Sequence, residues 1–181
     1  MIIQPLSEAA LRAQLDSLAD LTLDTVAGGN ALGFLAGVGH AEAAAWWESL
    51  LPAVSDGTLT VWTAHDGDRV AGTVSLRRET KPNGRHRAEV NKLMVHRAAR
   101  GRGLARALLA ALERHAAHEG LVLLHLDTET GSPAEGLYRA LGWQEAGTVP
   151  DFAADPAGVL HPTTIFYKSA HTPAGGGPAP R

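Results

Sequence analysis

The strongest constraint on the fold is an alternating strand, turn, helix and strand between residues 89 and 126. A strand-like run, Glu89–Val95, leads into a basic turn with two glycines, and helical periodicity then covers Gly103–His118. A second apolar run, Leu121–Leu126, predicts a buried strand. This alternation predicts an α/β protein with helices layered on a sheet.

The segments on either side extend the same architecture. Two helical patterns and a hairpin precede the unit, and a short helix and two strands follow it. The predicted helices are Ser7–Val26, Ala41–Val54 and Pro133–Leu141, and the predicted strands are Leu59–Ala64, Val70–Leu76, Trp143–Val149 and Thr163–Lys168. The Gly- and Pro-rich tail, residues 171–181, is expected to be disordered, which leaves residues 1–170 as a single domain.

The strand Glu89–Val95 breaks its own period of two. Val90 and Leu93 are three positions apart, so a regular strand does not bury both on one face. A bulge near Asn91 or Lys92 would place them together, and bulges are common beside functional sites. A strand buried on both faces is the alternative.

Positive charge is concentrated in the same region. Ten of the 16 Lys and Arg residues lie between Arg77 and Arg106, although the net charge of the 181-residue chain is −3. A cationic segment on an acidic body suits a compact polyanion better than a long nucleic acid, and a merely solvated basic face is the alternative. The chain has no cysteine, which excludes thiolate zinc sites and an acyl-cysteine intermediate.

The turn after Val95 has the physical properties of an anion site. The first N–H groups of a helix lack intrahelical acceptors, and glycines allow a phosphate to approach the backbone. A dinucleotide G-x-G-x-x-G pattern would require glycine at Arg106, and the G-K-[ST] ending of a P-loop is absent. The pattern present is Arg100-x-x-Gly103-x-Ala105.

This pattern resembles the [QR]-x-x-G-x-[GA] pyrophosphate loop of the GNAT superfamily of acyl-CoA N-acyltransferases. The segment Ala134–Trp143, which contains Tyr138, is similar to a second motif of that superfamily. Further segments, among them Ala88–Val95 and Leu124–Glu129, resemble the tabtoxin-resistance group of acetyltransferases.

The resemblance implies a fold, a cofactor and a reaction. The fold would be a mixed, mostly antiparallel sheet that splays at its central parallel strands, with helices on both faces. Acetyl-CoA would be the co-substrate, without a metal, and the acceptor would be the amine of a small molecule such as an amino-acid-like toxin. The resemblance further implies site residues. These are Glu89 and Asp127 as candidate bases, Tyr138 as acid, Leu93, Met94 and Val95 beside the pantetheine arm, and Arg100, Gly101, Arg102, Gly103, Leu104 and Ala105 at the pyrophosphate.

Each candidate also has a structural interpretation. Glu89 could pair with Arg87 or Lys92, Asp127 could form a turn-forming acidic pair with Glu129, and Tyr138 could serve packing alone. Trp46 and Trp47 are adjacent and cannot both face one core, so one of them is expected to line the substrate side or an interface.

Three functions remain open at this stage. A small-molecule N-acetyltransferase leads, ahead of a protein or peptide N-acetyltransferase and a non-catalytic acyl-CoA-binding module. The amino terminus lacks a signal-peptide pattern and no apolar run approaches the ~18 residues of a membrane span, so a cytoplasmic protein without nucleic-acid or membrane partners is expected. Monomer and homodimer both remain open.

Overall fold

The computed structural model describes residues 3–30, 32–67 and 69–169; the predicted tail lies outside them. The strands are β1 (Ile3–Pro5), β2 (Leu59–Asp66), β3 (Arg69–Arg78), β4 (Arg87–Val95), β5 (Leu123–Glu129), β6 (Gln144–Ala154) and β7 (Leu160–Ser169). The helices are α1 (Glu8–Arg12), α2 (Leu15–Ala27), α3 (His40–Glu48), α4 (Leu51–Ser55), α5 (Leu104–His118) and α6 (Pro133–Ala140), with 3₁₀ turns at Pro82–Gly84 and Arg97–Ala99.

These strands form one mixed sheet in the order β1-β2-β3-β4-β5-β7-β6. The neighbours β4 and β5 run parallel, and the other neighbouring pairs are antiparallel. Along β2, Leu59 and Val61 pack with α1 to α4, whereas Trp62 and Ala64 pack with α5. Because alternate residues of a strand point to opposite faces, the helices cover both faces of the sheet. The predicted fold class is confirmed.

Both predicted amino-terminal helices are interrupted. The second ends at Glu48 and restarts at Leu51, because Pro52 has no N–H to donate to the carbonyl of Glu48. The first divides into α1 and α2, where the N–H of Gln14 bonds the carbonyl of Leu11 three residues back. The prediction of two continuous helices was therefore wrong at these points.

The strand boundaries also differ from the prediction. Strand β1 was not predicted, since three residues carry too little pattern. Strand β5 begins and ends later than Leu121–Leu126, and β6 continues past its predicted end at Val149, through Pro150, to Ala154. Pro150 is tolerated because β6 is an edge strand and its register shifts between Val149 and Ala153.

The predicted bulge in β4 is confirmed. From Asn91 to Met94, β4 advances three residues while β3 advances two, and Lys92 has a left-handed φ of 52°. Val90 is therefore buried in the cluster that contains α5, and Leu93 packs against the same cluster. Met94 faces α1 to α4 instead. The bulge turns Lys92 out of the regular ladder.

Candidate active site

The central parallel pair opens into a gap. Strands β4 and β5 pair from Arg87 with Leu123 to Glu89 with His125. Beyond that point β4 stays paired with β3, and its other edge has no strand neighbour in the described part of the chain. The backbone of Leu93 to Val95 borders this gap, so its N–H and C=O groups can pair with an extended ligand as a strand would.

The turn that follows β4 leaves a helix end open. Gly101 and Gly103 have φ values of 75° and 78°, and a Cβ built at either would meet nothing within 4 Å. Gly103 is the N-cap of α5 and has no side chain to accept a first-turn N–H, whereas Ser7 and Ser132 cap α1 and α6. The first-turn amides of α5 therefore remain available to an anion.

Two arginines flank these glycines on the surface. Arg100 donates from Nε to the carbonyl of Val95 at 3.2 Å, and Arg102 pairs with Asp66 at 2.7 Å. Both side chains are exposed. Since an exposed ion pair contributes little stability, Arg102 can exchange Asp66 for a phosphate at small cost.

Asp24 on helix α2 binds Arg97 at the start of this turn. The Asp24 carboxylate is 8% exposed, accepts from Arg97 N at 3.0 Å and Arg97 Nε at 2.6 Å, and lies 3.4 Å from His96 Nε2. Burial opposes ionisation of Asp24, but the hydrogen bonds from Arg97 outweigh it and lower its pKa. This role could not be predicted from the sequence, because Asp16 and Asp20 lie on the same helix at the same four-residue spacing.

The two candidate bases lie on the same face of the sheet. Glu89 on β4 and Asp127 on β5 alternate with residues buried against α5, so both side chains are on the face of α1 to α4. Glu89 is half-buried and Asp127 is exposed. The suggested pairing of Glu89 with Arg87 is wrong: Arg87 binds Glu79 at 2.9 Å instead.

Tyr138 approaches the site from α6. Its side chain is 5% exposed and packs near Trp143 and Phe166, with ring centroids 5.8 and 6.0 Å away. Within the described residues its hydroxyl has no hydrogen-bond partner, so it is available to a ligand. Burial raises the pKa of Tyr138, and the negative charge of Asp127 raises it further, which keeps the phenol protonated at neutral pH.

The adjacent tryptophans differ in burial, but both pack with the same core cluster, so the expectation that only one would face it was wrong. Trp47 is fully buried and donates from Nε1 to Thr22 Oγ1 at 3.0 Å. Trp46 is half-buried and meets Phe34, with ring centroids 5.6 Å apart and planes at 80°. We call Phe34 and Trp46 the aromatic corner.

Lys92 fills the aromatic corner, a role that the sequence analysis missed. Its Nζ lies 4.8 Å from the Trp46 ring centroid and donates to the carbonyl of Leu32 at 2.5 Å. Burial lowers the pKa of Lys92, while the charges of Asp127 and Glu89 act in the opposite direction. The broken strand period pointed to this position, but Lys92 was grouped with the surface cations.

The comparisons with known proteins agree with this geometry. The sequence model of the acetyltransferase (GNAT) family matches residues 27–143. N-acetyltransferase 8B of Rattus norvegicus is 33% identical over 96 residues, which are 52% of this chain and 43% of that protein. The chain thus spans less than half the length of this curated relative.

Solved structures match over almost the whole chain. The ribosomal-protein-alanine N-acetyltransferase of Brucella melitensis superposes with a TM-score of 0.75 at 26% identity, covering 93% of this chain and 99% of that one. A putative acetyltransferase of Salmonella typhimurium, solved with its cofactor acetyl-CoA, gives 0.74 at 20% identity, with 96% and 95% covered. The narrower tabtoxin-resistance resemblance stays a prediction. The family match, covering well over half of the chain, shows that this protein belongs to the acetyltransferase (GNAT) family.

Proposed function

We propose that this protein transfers the acetyl group of acetyl-CoA to the primary amine of a small molecule in the cytoplasm. An amino-acid-like toxin is the acceptor class that we propose. The observation that carries the proposal is the position of two features at one end of β4. The gap beside Leu93 to Val95 leads directly to the uncapped amino terminus of α5.

None of the helices in residues 3–30, 32–67 and 69–169 is long and apolar enough to cross a membrane.

The residues at this end of β4 fit acetyl-CoA. When bound, acetyl-CoA supplies an acetyl group activated as a thioester. The backbone of Leu93 to Val95 would hold the pantetheine arm, and one of its N–H groups would polarise the thioester carbonyl. The amides of Gly101 to Ala105, with Arg100 and Arg102, would hold the pyrophosphate.

A carboxylate must prepare the acceptor amine. An alkyl amine with a pKa of ~10 is mostly ammonium at pH 7 and must lose a proton before it can attack. Glu89 and Asp127 share the sheet face covered by α1 to α4. We call this face the acceptor side of the gap because the amine would approach from it, and either carboxylate could accept the proton directly or through water. Both remain candidates for the base.

Tyr138 would stabilise the departing sulfur. A thiol has a pKa near 8.5, below the ~10 of a phenol, and burial raises the pKa of Tyr138 further. A hydrogen bond from the tyrosine therefore suffices, and complete proton transfer is not required.

A thiol-release assay tests the proposal. Purified protein with acetyl-CoA and a panel of amines, including tabtoxinine-β-lactam, should release CoA in proportion to acetylated amine seen by mass spectrometry. Arg114→Ala, on the exposed side of α5 away from its amino terminus, is the control and should leave turnover unchanged. Failure to acetylate any amine in the panel would contradict a small-molecule acetyltransferase.

Protein amino-terminal acetylation is the second candidate. The supporting observation is the 26% identity and near-complete overlap with a ribosomal-protein-alanine N-acetyltransferase. Peptides with amino-terminal alanine, assayed by mass spectrometry beside the amine panel, separate the two functions. A preference for peptides over free amines would favour this candidate.

A further inference from the structure

The ammonium group of Lys92 lies on the acceptor side of the gap. Lys92 lies on the β4 bulge with φ 52°, and its ammonium bonds the carbonyl of Leu32, whose φ is 49°. Non-glycine residues in this left-handed region persist when tertiary contacts hold them. Lys92 and Leu32 both adopt this conformation and are joined by a hydrogen bond, so the tertiary structure holds Lys92 in position.

The aromatic corner surrounds this ammonium on two sides. Nζ lies 4.8 Å from the Trp46 centroid and 6.0 Å from the Phe34 centroid, within the range of a cation–π interaction. Two rings at a steep angle are an arrangement that recognises alkylammonium ligands. Here the lysine of the chain takes the place that such a ligand would occupy.

The charge of Lys92 also reaches the proposed amine position. Glu89 and Asp127 both favour its charged form, so both carboxylates lie within electrostatic range of it. An acceptor amine that approaches either carboxylate therefore comes near Lys92. A second cation on that acceptor would be repelled by Lys92 and would find the aromatic corner already filled.

We propose that Lys92 is a specificity-determining residue that fills the cation site of Phe34 and Trp46 and so disfavours acceptors with a second positive charge. The proposal rests on the function proposed above. It predicts that wild-type protein prefers amines whose second group is neutral or anionic.

Three acceptors of equal chain length test the proposal. They are 3-aminopropanol, β-alanine and 1,3-diaminopropane, whose second groups are neutral, anionic and cationic. We expect the ratio of kcat/KM for the diamine to that for the alcohol to rise at least tenfold in Lys92→Ala, which removes the charge and empties the corner. In Lys92→Met, which removes the charge but keeps the corner filled, the rise should be smaller, and Lys92→Arg should keep the wild-type ratio.

A binding measurement separates failure of this proposal from failure of the proposed function. Calorimetric titration of 1,3-diaminopropane in the presence of CoA should show at least tenfold tighter binding to Lys92→Ala than to wild type, with thermal melting confirming that each variant is folded. If wild type turns over no amine in the panel above, the proposed function falls and the titration still decides the role of Lys92. Equal diamine affinity in wild type and Lys92→Ala, or an unchanged kcat/KM ratio, would overturn the proposal. If Lys92→Ala does not fold, the same readouts on Lys92→Met decide it.

Discussion

Replacing Asp24 by alanine tests how the fold supports the proposed pyrophosphate turn. The carboxylate is 8% exposed and accepts from both the backbone N–H and the guanidinium of Arg97. A hydrogen bond from the backbone to a buried charged acceptor contributes about 1.5–3 kcal/mol. The Arg97 side chain is 58% exposed, so its ion pair adds at most about 1 kcal/mol after solvent screening.

These terms predict a loss of about 2–3 kcal/mol in the free energy of unfolding for Asp24→Ala. For a chain of this size, that corresponds to a decrease in Tm of about 5–10 °C. Asp24→Asn retains a carbonyl acceptor for the Arg97 N–H and should lose about half as much. Because Asp24 holds the turn that precedes the α5 amides, CoA affinity should fall about tenfold, equivalent to about 1.4 kcal/mol.

The assay combines thermal denaturation with calorimetric titration of CoA. Asp20→Ala is the matched control, since Asp20 is one turn earlier on α2, has a side chain that is 72% exposed and pairs with His40 instead of Arg97. It should change stability by less than about 0.5 kcal/mol. An Asp24→Ala protein with the Tm and CoA affinity of wild type would refute the reasoning.

Three further predictions concern the site and its neighbouring turn. Tyr138→Phe should lower kcat about 100-fold with little change in KM, as expected for loss of a hydrogen bond to the leaving group; an unchanged kcat in steady-state assays would remove Tyr138 from the mechanism. Glu89→Gln and Asp127→Asn each remove one candidate base, and kcat should fall at least about 100-fold in the variant that has lost the true base. Rates near that of wild type in both variants would refute a carboxylate base. Hydrogen bonds from the Lys81 N–H and the Arg87 guanidinium lower the pKa of Glu79 from its usual 4.5 to about 2. Ionised Glu79 should therefore stabilise the folded state fully above pH 4.5, and this stabilisation should disappear as the pH falls towards 2. Chemical denaturation of wild type and Glu79→Gln across this range should show their stability difference closing at low pH, and a difference independent of pH would contradict the assignment.

The sequence predicted the features that depend on local backbone chemistry. The turn around Gly101 and Gly103 requires residues that tolerate positive φ, and the bulge disturbs the strand period by one residue between Val90 and Leu93. The break at Pro52 was equally local and could have been predicted from its missing N–H.

The contacts that complete the site come from distant parts of the chain. Lys92 bonds a carbonyl 60 residues away, and Arg97 bonds a carboxylate 73 residues away. An ion pair or cation–π contact across such a separation leaves no periodic pattern, so Lys92 and Asp24 resembled ordinary surface charges. Their roles follow from tertiary packing, which brings α2 against β3 and β4 and brings Trp46 of α3 against Lys92.

Binding of CoA to the end of β4 is the central claim, and isothermal titration calorimetry measures it most directly. Folded wild-type protein should bind CoA saturably, and it should bind pantetheine, which lacks the diphosphate and the nucleoside 3′-phosphate, at least about tenfold more weakly. The CoA affinity should also fall with added salt and in Arg100→Ala, because charge contributes to binding. No heat from CoA at millimolar concentration, or equal affinity for CoA and pantetheine, would contradict the account.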